Sequence, residues 1–324
     1  MEKTSRKLVI DCDPGIDDSM ALLLLAGELR KCPDIELIGI TIVYGNNANL
    51  SLMAQNARHV LDNVGLSGVP IYTGADRPLL RAYDGEVGKV WHGPEGIGNV
   101  TLDRRIEQEV FSPPCALDFL ERSAQQYDGL NIITLGPQTN LALCILRRRE
   151  VFTTRVRVIS MGGCLNAVDP GGNVSPLAEA NIYNDPEAAN IVMGARWKEP
   201  YTLVPLDVTE KTRMPRAYLD GFRDIGNWAG TFIYKAVEWY YAQYQTCEAT
   251  GSIPVHDSSA IMAFFHPDVY TYKEMDLTVV HGDSLQTRGM VYGKSRDLEN
   301  PSRVALAVDA TRFLDIYQKS IRSL

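Results

Sequence analysis

Four aspartates stand close together near the start of the chain, and carboxylates at this spacing could hold a cation. They are Asp11, Asp13, Asp17 and Asp18, in the stretch KLVIDCDPGIDD that runs from Lys7 to Asp18. Carboxylates this close repel one another unless a cation joins them or some of them stay protonated. Their oxygens are hard ligands, which favour Ca²⁺ or Mg²⁺ over Zn²⁺. The alternative interpretation is a helix cap with solvated surface aspartates.

Further polar clusters follow the ends of apolar runs, and their residue types suit a ligand rich in hydroxyl groups. These clusters are Tyr44–Asn47, Leu135–Asn140, Asn173–Asn184 and the pair His256-Asp257. Amide and carboxylate side chains offer many hydrogen-bonding atoms, and each sugar hydroxyl has one donor and two acceptor sites. A sugar held above a hard cation would explain this composition.

The hydrophobic pattern predicts the scaffold that positions these clusters. A turn at Pro14-Gly15 separates the apolar strand Leu8–Ile10 from a helix predicted at Ser19–Leu29. Nearly continuous apolar runs recur at Ile35–Val43, Leu130–Leu135 and Val156–Met161, with helical patterns between them. This alternation predicts an α/β fold with a doubly wound, Rossmann-like, mostly parallel central sheet flanked by helices. We predict a single domain over residues 1–324, with the polar clusters meeting at one edge of the sheet.

Two long segments are predicted to be loops, and the sheet is predicted to end in an antiparallel edge. The loops are Arg77–Asp103 and Asp169–Asn184, and the edge strands are Asp276–His281 and Arg288–Tyr292. Loops of this length in compact domains are often functional. We therefore expect both loops to border the crevice.

Composition limits the partners and the compartment. The 324 residues carry a formal charge of −8, which argues against nucleic acid or an anionic membrane as a partner. Six scattered cysteines without a C-x-x-C pair suit reduced thiols. The N-terminus has no apolar signal region, and no apolar run is long enough to span a bilayer. We therefore expect a cytoplasmic protein that acts on a small molecule.

Other interpretations of the same patterns stay open at this point. An EF-hand loop beginning at Asp11 would need glutamate at its twelfth position, where Leu22 stands. An Ile-Asp-x-Asp strand end also occurs in aspartyl-phosphate phosphatases, but that assignment leaves the Asn-Glu-Asn and His-Asp segments unexplained. His256 with Asp257 could be a structural pair, and Trp91 a packing residue. Tyr240 and Tyr244, on one predicted helix, would also be packing residues unless that helix borders the site.

The acidic run and the segments beyond it resemble one known family, the inosine-uridine-preferring nucleoside hydrolases. The most specific part is Asp13-Pro14-Gly15-Ile16-Asp17-Asp18, with Asp11 two residues upstream. Further matching segments are Tyr44–Asn46, Val69–Leu79, His92–Gly96, Leu135–Asn140, Met161–Gly163, Gly172-Asn173, Ala178–Asn181, Asp185–Ala189, Val255–Asp257 and the tail from Thr287 to Asp309. The resemblance covers nearly the whole chain and implies hydrolysis of nucleosides.

The resemblance also implies a single Ca²⁺ at the floor of the crevice. Its ligands would be the carboxylates of Asp13, Asp18 and Asp257 and the main-chain carbonyl oxygen of Leu135. The ribose hydroxyls would be held by Asp17, Asn46, Asn173, Glu179 and Asn181, and Met161 would pack under the sugar. The residues bordering the base would be His256, Trp91, His92 and Tyr244, with Asp257 lying next to the substrate as well as the ion.

The chemistry implied by the resemblance is cleavage of an N-glycosidic bond. Asp13 would take a proton from a water molecule on Ca²⁺, and His256 would be the candidate acid that protonates the leaving base. Ala180 stands where many relatives have an aromatic residue, so Trp91 would supply the stacking surface. We expect a preference for purine ribosides with some pyrimidine turnover, a role in nucleoside salvage or catabolism, and a homodimer or homotetramer. The alternatives are an aspartate-nucleophile phosphatase and a non-catalytic nucleoside-binding relative.

Overall fold

A nine-stranded sheet runs through the centre of the molecule. The computed structural model describes residues 5–83, 85–98, 100–101, 115–166, 171–243 and 250–324. The strands are β1 (Arg6–Cys12), β2 (Ile35–Ile42), β3 (Ile71–Thr73), β4 (Leu130–Thr134), β5 (Val156–Met161), β6 (Thr202–Val204), β7 (Met214–Pro215), β8 (Ser252–Ile253), β9 (Tyr270–Val279), β10 (Val291–Lys294) and β11 (Ser302–Val308). The central sheet has the order β10-β9-β11-β6-β5-β4-β1-β2-β3, and β7 pairs with β8 separately.

The order of the strands confirms the predicted doubly wound, mostly parallel sheet. From β3 to β11 each neighbouring pair is parallel, and β9 and β10 add the predicted antiparallel edge. The chain builds β2 and β3 on one side of β1 and then returns to place β4 on its other side. The crevice beyond the carboxyl ends of β1 and β4 is therefore the switch point at which such sheets bind ligands.

Helices cover both faces of the sheet. They are α1 (Ile16–Lys31), α2 (Leu50–Asn63), α3 (Glu86–His92), α4 (Cys115–Gln126), α5 (Thr139–Arg155), α6 (Ala180–Asn184), α7 (Pro186–Met193), α8 (Leu206–Thr209), α9 (Arg216–Arg223), α10 (Trp228–Gln243), α11 (Ser258–Phe265) and α12 (Ala310–Arg322). In β1, Leu8 and Ile10 pack into the core that contains α1, whereas Val9 packs into the core with α4 and α5. This two-sided burial explains the unbroken apolar runs of the parallel strands. In the described parts of the chain, no helix combines the length and apolar character needed to cross a membrane.

The first helix begins earlier than predicted, and this changes the setting of the aspartates. We predicted a start at Ser19, but α1 begins at Ile16 after the N-cap Gly15. The side chain of Asp18 accepts a hydrogen bond from Gly15 N at 2.9 Å, which closes a capping arrangement at the first turn. Asp17 and Asp18 therefore belong to the helix, where its N-terminal dipole favours negative charge.

The two predicted loops contain short helices. Helix α3 lies within Arg77–Asp103, and α6 forms the end of Asp169–Asn184. Both helices are too short to be recognised from sequence periodicity, since isolated turns of helix depend on tertiary contacts. Parts of both loops, at residues 84, 99, 102–103 and 169–170, and also the predicted base contact Tyr244, lie outside the described residues.

Candidate active site

The polar clusters from the strand ends line one cavity of about 890 Å³. The predicted site residues that line it are Asp13, Asp17, Asn46, Trp91, His92, Leu135, Met161, Asn173, Glu179, Asn181, His256 and Asp257. Asp18 lies under this surface and is fully buried. The structure therefore brings together residues that are up to 244 positions apart, from Asp13 to Asp257.

An acidic centre occupies the floor of this cavity. Carboxylate oxygens of Asp17, Asp18 and Asp257 lie within 4.8 Å of one another, which makes this set, among the described residues, the group suited to a metal ion. This group includes Asp17, which we predicted to bind the sugar, and not Asp13, which we predicted to bind the metal. The main chain of Asp13 is nevertheless joined to it, because Asp13 N donates to Asp18 Oδ1 at 3.1 Å.

Burial controls the charge of these carboxyl groups. Removal from water raises the pKa of Asp18 to about 7, with the negative charge of Asp17 adding to the rise and backbone hydrogen bonds opposing it. Burial also raises the pKa of Asp13 and of Asp257 well above the usual range. Several buried carboxylates can share a site in their charged form when a cation neutralises them.

The donor set fits a hard divalent cation. Carboxylate oxygens converge, and Leu135, whose carbonyl oxygen is the predicted fourth ligand, lines the same cavity. That carbonyl accepts a hydrogen bond from Asn181 Nδ2 at 2.7 Å, and its second lone pair can serve another partner. Among the described residues lining the cavity, Arg288 is the one lysine or arginine. An all-oxygen set of this kind matches Ca²⁺ or Mg²⁺.

Two glycines leave the space that Asp13 occupies. A Cβ on Gly45 would lie 1.9 Å from Asp13 Oδ2, and one on Gly136 would lie 2.5 Å from Asp13 Oδ1. Asn46 N donates to Asp13 Oδ2 at 2.8 Å, and Asn46 Nδ2 donates to the Asp13 carbonyl and to Asp18 Oδ2, both at 3.0 Å. Asp13 is therefore held in one position by the strand ends of β2 and β4.

Asp11 does not belong to the acidic centre, although it belongs to the same acidic run as the other three aspartates. Its Oδ1 accepts hydrogen bonds from Thr41 Oγ1 at 2.6 Å and Asn140 Nδ2 at 2.8 Å. Burial raises its pKa to about 6, while these two bonds lower it. Asp11 thus ties β1 to β2 and to the start of α5, which is a structural role.

Asn173, Glu179 and Asn181 form one wall of the cavity. Glu179 caps α6 because its carboxylate accepts from Asn181 N at 2.8 Å and Ile182 N at 3.2 Å, and it also accepts from Gly163 N, after β5, at 2.9 Å. Burial raises the pKa of Glu179, and these backbone bonds oppose the rise. Asn173 Oδ1 accepts from Ala180 N at 2.9 Å, so it is fixed to the same turn.

His92 is held as a neutral donor on the other side of the cavity. Its Nδ1 accepts a hydrogen bond from Ile16 N at 3.0 Å, and the hydroxyl of Tyr240 lies 3.2 Å from the same atom. Burial lowers the pKa of His92. Since the Ile16 amide can only donate, Nδ1 carries no proton and the neutral ring carries its hydrogen on Nε2.

His256 presents an unbonded ring nitrogen in the cavity wall. Its Nδ1 lies 2.9 Å from Thr209 Oγ1, so the partner in the structure is Thr209. Its Nε2 is buried and, among the described atoms, has no hydrogen-bond partner. The nearest carboxylate to Nε2 is Glu210 Oε1 at 3.9 Å. Buried ring nitrogens are normally bonded, so this atom is available to a ligand.

The cavity also contains residues that the sequence interpretation missed. These are Tyr83, Glu210, Gln243 and Arg288, together with Tyr240, which we interpreted as a packing residue; Tyr183 and Asn184, which belong to the predicted cluster Asn173–Asn184, also line the cavity. Tyr240 is buried as expected for a packing residue, but its hydroxyl reaches His92. Arg288 lies in the tail from Thr287 to Asp309, which resembles the family, and that resemblance could have indicated a place in the site. Nothing in the local pattern around Glu210 indicated a place in the site, whereas Tyr183 lies within the predicted polar cluster Asn173–Asn184.

Comparison with known proteins agrees with the geometry. The family model described as inosine-uridine preferring nucleoside hydrolase matches residues 8–315. The chain is 30% identical over 313 residues to the inosine-uridine preferring nucleoside hydrolase of Leishmania major, covering 95% of each chain. It is 33% identical over 273 residues to uridine nucleosidase 1 of Arabidopsis thaliana, covering 83% of this chain and 76% of that protein. The purine-preferring ribonucleoside hydrolase from Gardnerella vaginalis superposes with a TM-score of 0.85 at 30% identity, covering 98% of both chains.

Proposed function

The chain belongs to the family of inosine-uridine preferring nucleoside hydrolases and is an enzyme, and we propose that it hydrolyses the N-glycosidic bond of ribonucleosides, with bound Ca²⁺, to free base and ribose. One observation carries the proposal. A buried acidic centre, a wall of hydrogen-bonding side chains and His256, whose Nε2 has no hydrogen-bond partner among the described residues, line the same cavity. This arrangement suits a sugar bound between a cation and a proton donor.

The residues that would hold the cation are Asp13, Asp18, Asp257 and the Leu135 carbonyl, together with Asp17, which the geometry adds. When bound, Ca²⁺ would lower the pKa of a coordinated water and draw the sugar hydroxyls into place. The raised pKa values of the buried aspartates would fall towards the normal range in the presence of that charge. Affinity for the ion would therefore weaken in acid.

Asp13 is the residue we assign to remove the proton from the attacking water. Asn46 N–H holds Oδ2, so Oδ1 is the oxygen that accepts the proton. General base catalysis of this kind contributes about 10²–10⁴-fold to a rate. The slot between Gly45 and Gly136 fixes the position of the carboxylate, and a fixed position is what a general base needs to act on a bound water.

The ribose would lie between the acidic centre and the wall formed by Asn173, Glu179 and Asn181. Cleavage of the glycosidic bond generates positive charge on the ribosyl carbon and ring oxygen. Carboxylates fixed by backbone amides, as Glu179 is, stabilise that charge without reorganising. A site built around hydroxyls discriminates against analogues that lack them, so we propose a strong preference for ribosides over 2′-deoxyribosides.

The base would lie against Trp91, His92 and His256. Thr209 holds His256 Nδ1, so Nε2 delivers the proton that goes to the leaving base. His92 would donate its Nε2 hydrogen to an acceptor atom of the base. The indole of Trp91 offers a stacking surface, and Ala180 leaves space for a large base, so we propose purine ribosides as preferred substrates with some pyrimidine turnover.

A panel of purine and pyrimidine ribonucleosides tests the proposal. The purified enzyme is incubated with each substrate in buffer with Ca²⁺, and free base and ribose are measured by chromatography and a reducing-sugar assay. We expect both products in equal amounts, with inosine or another purine riboside giving the highest kcat/KM. Release of phosphate from a phosphomonoester without ribose release would indicate a phosphatase, and nucleoside binding without turnover would indicate a non-catalytic relative.

We further propose that the enzyme works as a cytoplasmic homodimer or homotetramer in nucleoside salvage or catabolism. In the part of the chain that the structure describes, Cys12, Cys32, Cys144 and Cys164 form no disulfide, which suits a reducing compartment. Light scattering coupled to size-exclusion chromatography measures the oligomer directly. A monomer at micromolar concentration would contradict this part of the proposal.

A further inference from the structure

We propose that Arg288, in the connection between β9 and β10, is a positioning residue that sets the geometry of the ribose-binding wall. Its Nε and Nη2 both donate to the carbonyl oxygen of Tyr183, at 3.0 and 2.8 Å. Its guanidinium carbon lies 4.1 Å from the centre of the Tyr183 ring. One side chain thus fixes both the main chain and the ring of a residue in α6. The inference rests on the function proposed above.

Helix α6 needs support from outside because it is only five residues long. A single turn of helix is not stable by itself, and its last carbonyl groups have no partner within the helix. Proline at 186 begins the next helix, so α6 cannot continue and satisfy the Tyr183 carbonyl by extension. Arg288 supplies the missing donors.

The connection between β9 and β10 contacts the wall segment at both of its ends, at Ala178 and at Tyr183. Met290 forms a β-bridge with Ala178, immediately before Glu179. Gly289 packs against Tyr183, where a Cβ would lie 2.7 Å from the Tyr183 Cα. The connection is itself anchored, since Gly289 N donates to Val280 O at 2.8 Å. The residues between these contacts, including Glu179 and Asn181, are therefore clamped between two fixed points.

Displacement of this clamp would reach the substrate through Asn181 and Glu179. Asn181 bonds the Leu135 carbonyl at 2.7 Å, so a shift of α6 changes its distance to the end of β4. Glu179 both caps α6 and lines the cavity. Misplacement of a catalytic constellation by about 1 Å can cost about 10²-fold in rate. Arg288 acts on the sugar through these residues, and we assign it no contact with the reacting atoms.

Two substitutions at this position separate positioning from simple support of the fold. Arg288→Met keeps the apolar stem and removes the donors, whereas Arg288→Lys retains one charged donor without the planar fork. Arg303→Met is the matched control, because Arg303 also stacks on a tyrosine, Tyr272, at 3.6 Å but lies in β11 away from the wall. The substrates are the best ribonucleoside of the panel and its 2′-, 3′- and 5′-deoxy analogues.

We expect Arg288→Met to lower kcat/KM on the ribonucleoside by about 10–100-fold. The loss of kcat/KM should be smaller, by a factor of about five or more, on at least one deoxy analogue. That analogue lacks the hydroxyl that contacts the wall, so it has no such contact to lose when the wall is displaced. Arg288→Lys should recover part of the discrimination between the ribonucleoside and that analogue. Arg303→Met should leave this discrimination unchanged.

Equal losses on all four substrates, or full activity of Arg288→Met, would overturn the inference. If Arg288→Met does not fold, Arg288→Lys takes its place, because it keeps one charged donor, and it should show a smaller loss with the same dependence on the substrate hydroxyls. Failure of the proposed function is recognised separately, because the unmodified enzyme would then release no base from any ribonucleoside. If the wild-type enzyme prefers the ribonucleoside and Arg288→Met shows the same kcat/KM values, only the role of Arg288 is refuted.

Discussion

Replacing Gly45 with alanine should disable the enzyme while leaving its backbone conformation allowed. The new Cβ would lie 1.9 Å from Asp13 Oδ2, and real Cβ contacts essentially never come under 3.0 Å. The contact must therefore open by at least 3.0 − 1.9 = 1.1 Å. Asp13 cannot move freely, because Asn46 N–H holds the same oxygen and Gly136 borders the other one. Gly45 is not among the glycines with positive φ, so the effect comes from the contact alone.

A displacement of this size at the proposed general base predicts a large kinetic effect. Misplacing a reacting group by about 1 Å costs on the order of 10²-fold. We therefore expect kcat on a purine ribonucleoside to fall by about 10²-fold or more, with weaker Ca²⁺ binding because Asp13 is also a proposed ligand. Overpacking at a buried site costs about 1–3 kcal/mol of stability, so the variant should still fold.

The assay compares kcat, KM and metal content with those of a matched glycine variant. Gly68→Ala is the control, because a Cβ there meets no atom within 4 Å and its φ is not positive. Ca²⁺ is titrated into metal-free enzyme, and activity and melting temperature are followed together. If Gly45→Ala retains kcat and Ca²⁺ affinity close to those of Gly68→Ala, the assignment of Asp13 to base and ligand is wrong.

The other predictions concern the metal, the two proton-transfer groups and the buried carboxylate of Glu28, which lies far from the site. Asp18→Ala should lose the bound Ca²⁺, as measured by elemental analysis of purified protein; stoichiometric Zn²⁺ in the wild type would contradict the metal assignment. Asp13→Asn should lower kcat by about 10²–10⁴-fold, and a variant that keeps most of its kcat would exclude the base role. His256→Ala should lose far more activity on inosine than on p-nitrophenyl riboside, whose leaving group needs no proton; equal losses would mean that the histidine positions the sugar or the ion. Burial tends to raise the pKa of Glu28, but hydrogen bonds from His266, Lys31 and Ser320 outweigh it and lower the pKa to about 2. The carboxylate therefore stabilises the fold fully above its unfolded pKa near 4.5, and the contribution is lost as pH falls from there to about 2. Urea titrations should show that Glu28→Gln removes about 1–2 kcal/mol of this acid-dependent stability, and identical pH profiles would refute the pairing.

Local sequence determined the central framework and most of the cavity. The apolar runs of β1, β2, β4 and β5 are continuous because both faces of a parallel sheet are covered, and such runs are visible without any tertiary information. Polar clusters directly after these strands had to meet at one edge, since parallel strands end together. The positions of Asp13, Asn46 and Leu135 in the cavity follow from this rule alone.

Short elements and contacts between distant residues were harder to predict from the sequence. Helices α3 and α6 span 7 and 5 residues, and a helix of that length forms only where neighbours satisfy its ends. The start of α1 at Ile16 likewise depends on Asp18 reaching Gly15 and on His92 accepting from Ile16. Helix propensity does not predict a start at Ile16, because one of the partners that cap this end, His92, belongs to another helix.

Tertiary structure alone decided how the aspartates divide their roles. Asp11 and Asp17 belong to one acidic run, yet Asp11 bonds Thr41 and Asn140 while Asp17 joins Asp257 across 240 residues. The clamp of Arg288 on Tyr183 also joins segments 105 residues apart. Spacing along the chain fixes which side chains reach the edge of the sheet. Which of them share a partner depends on the packing of helices and connections against that edge, because hydrogen bonds and charge pairs act over a few ångströms in space.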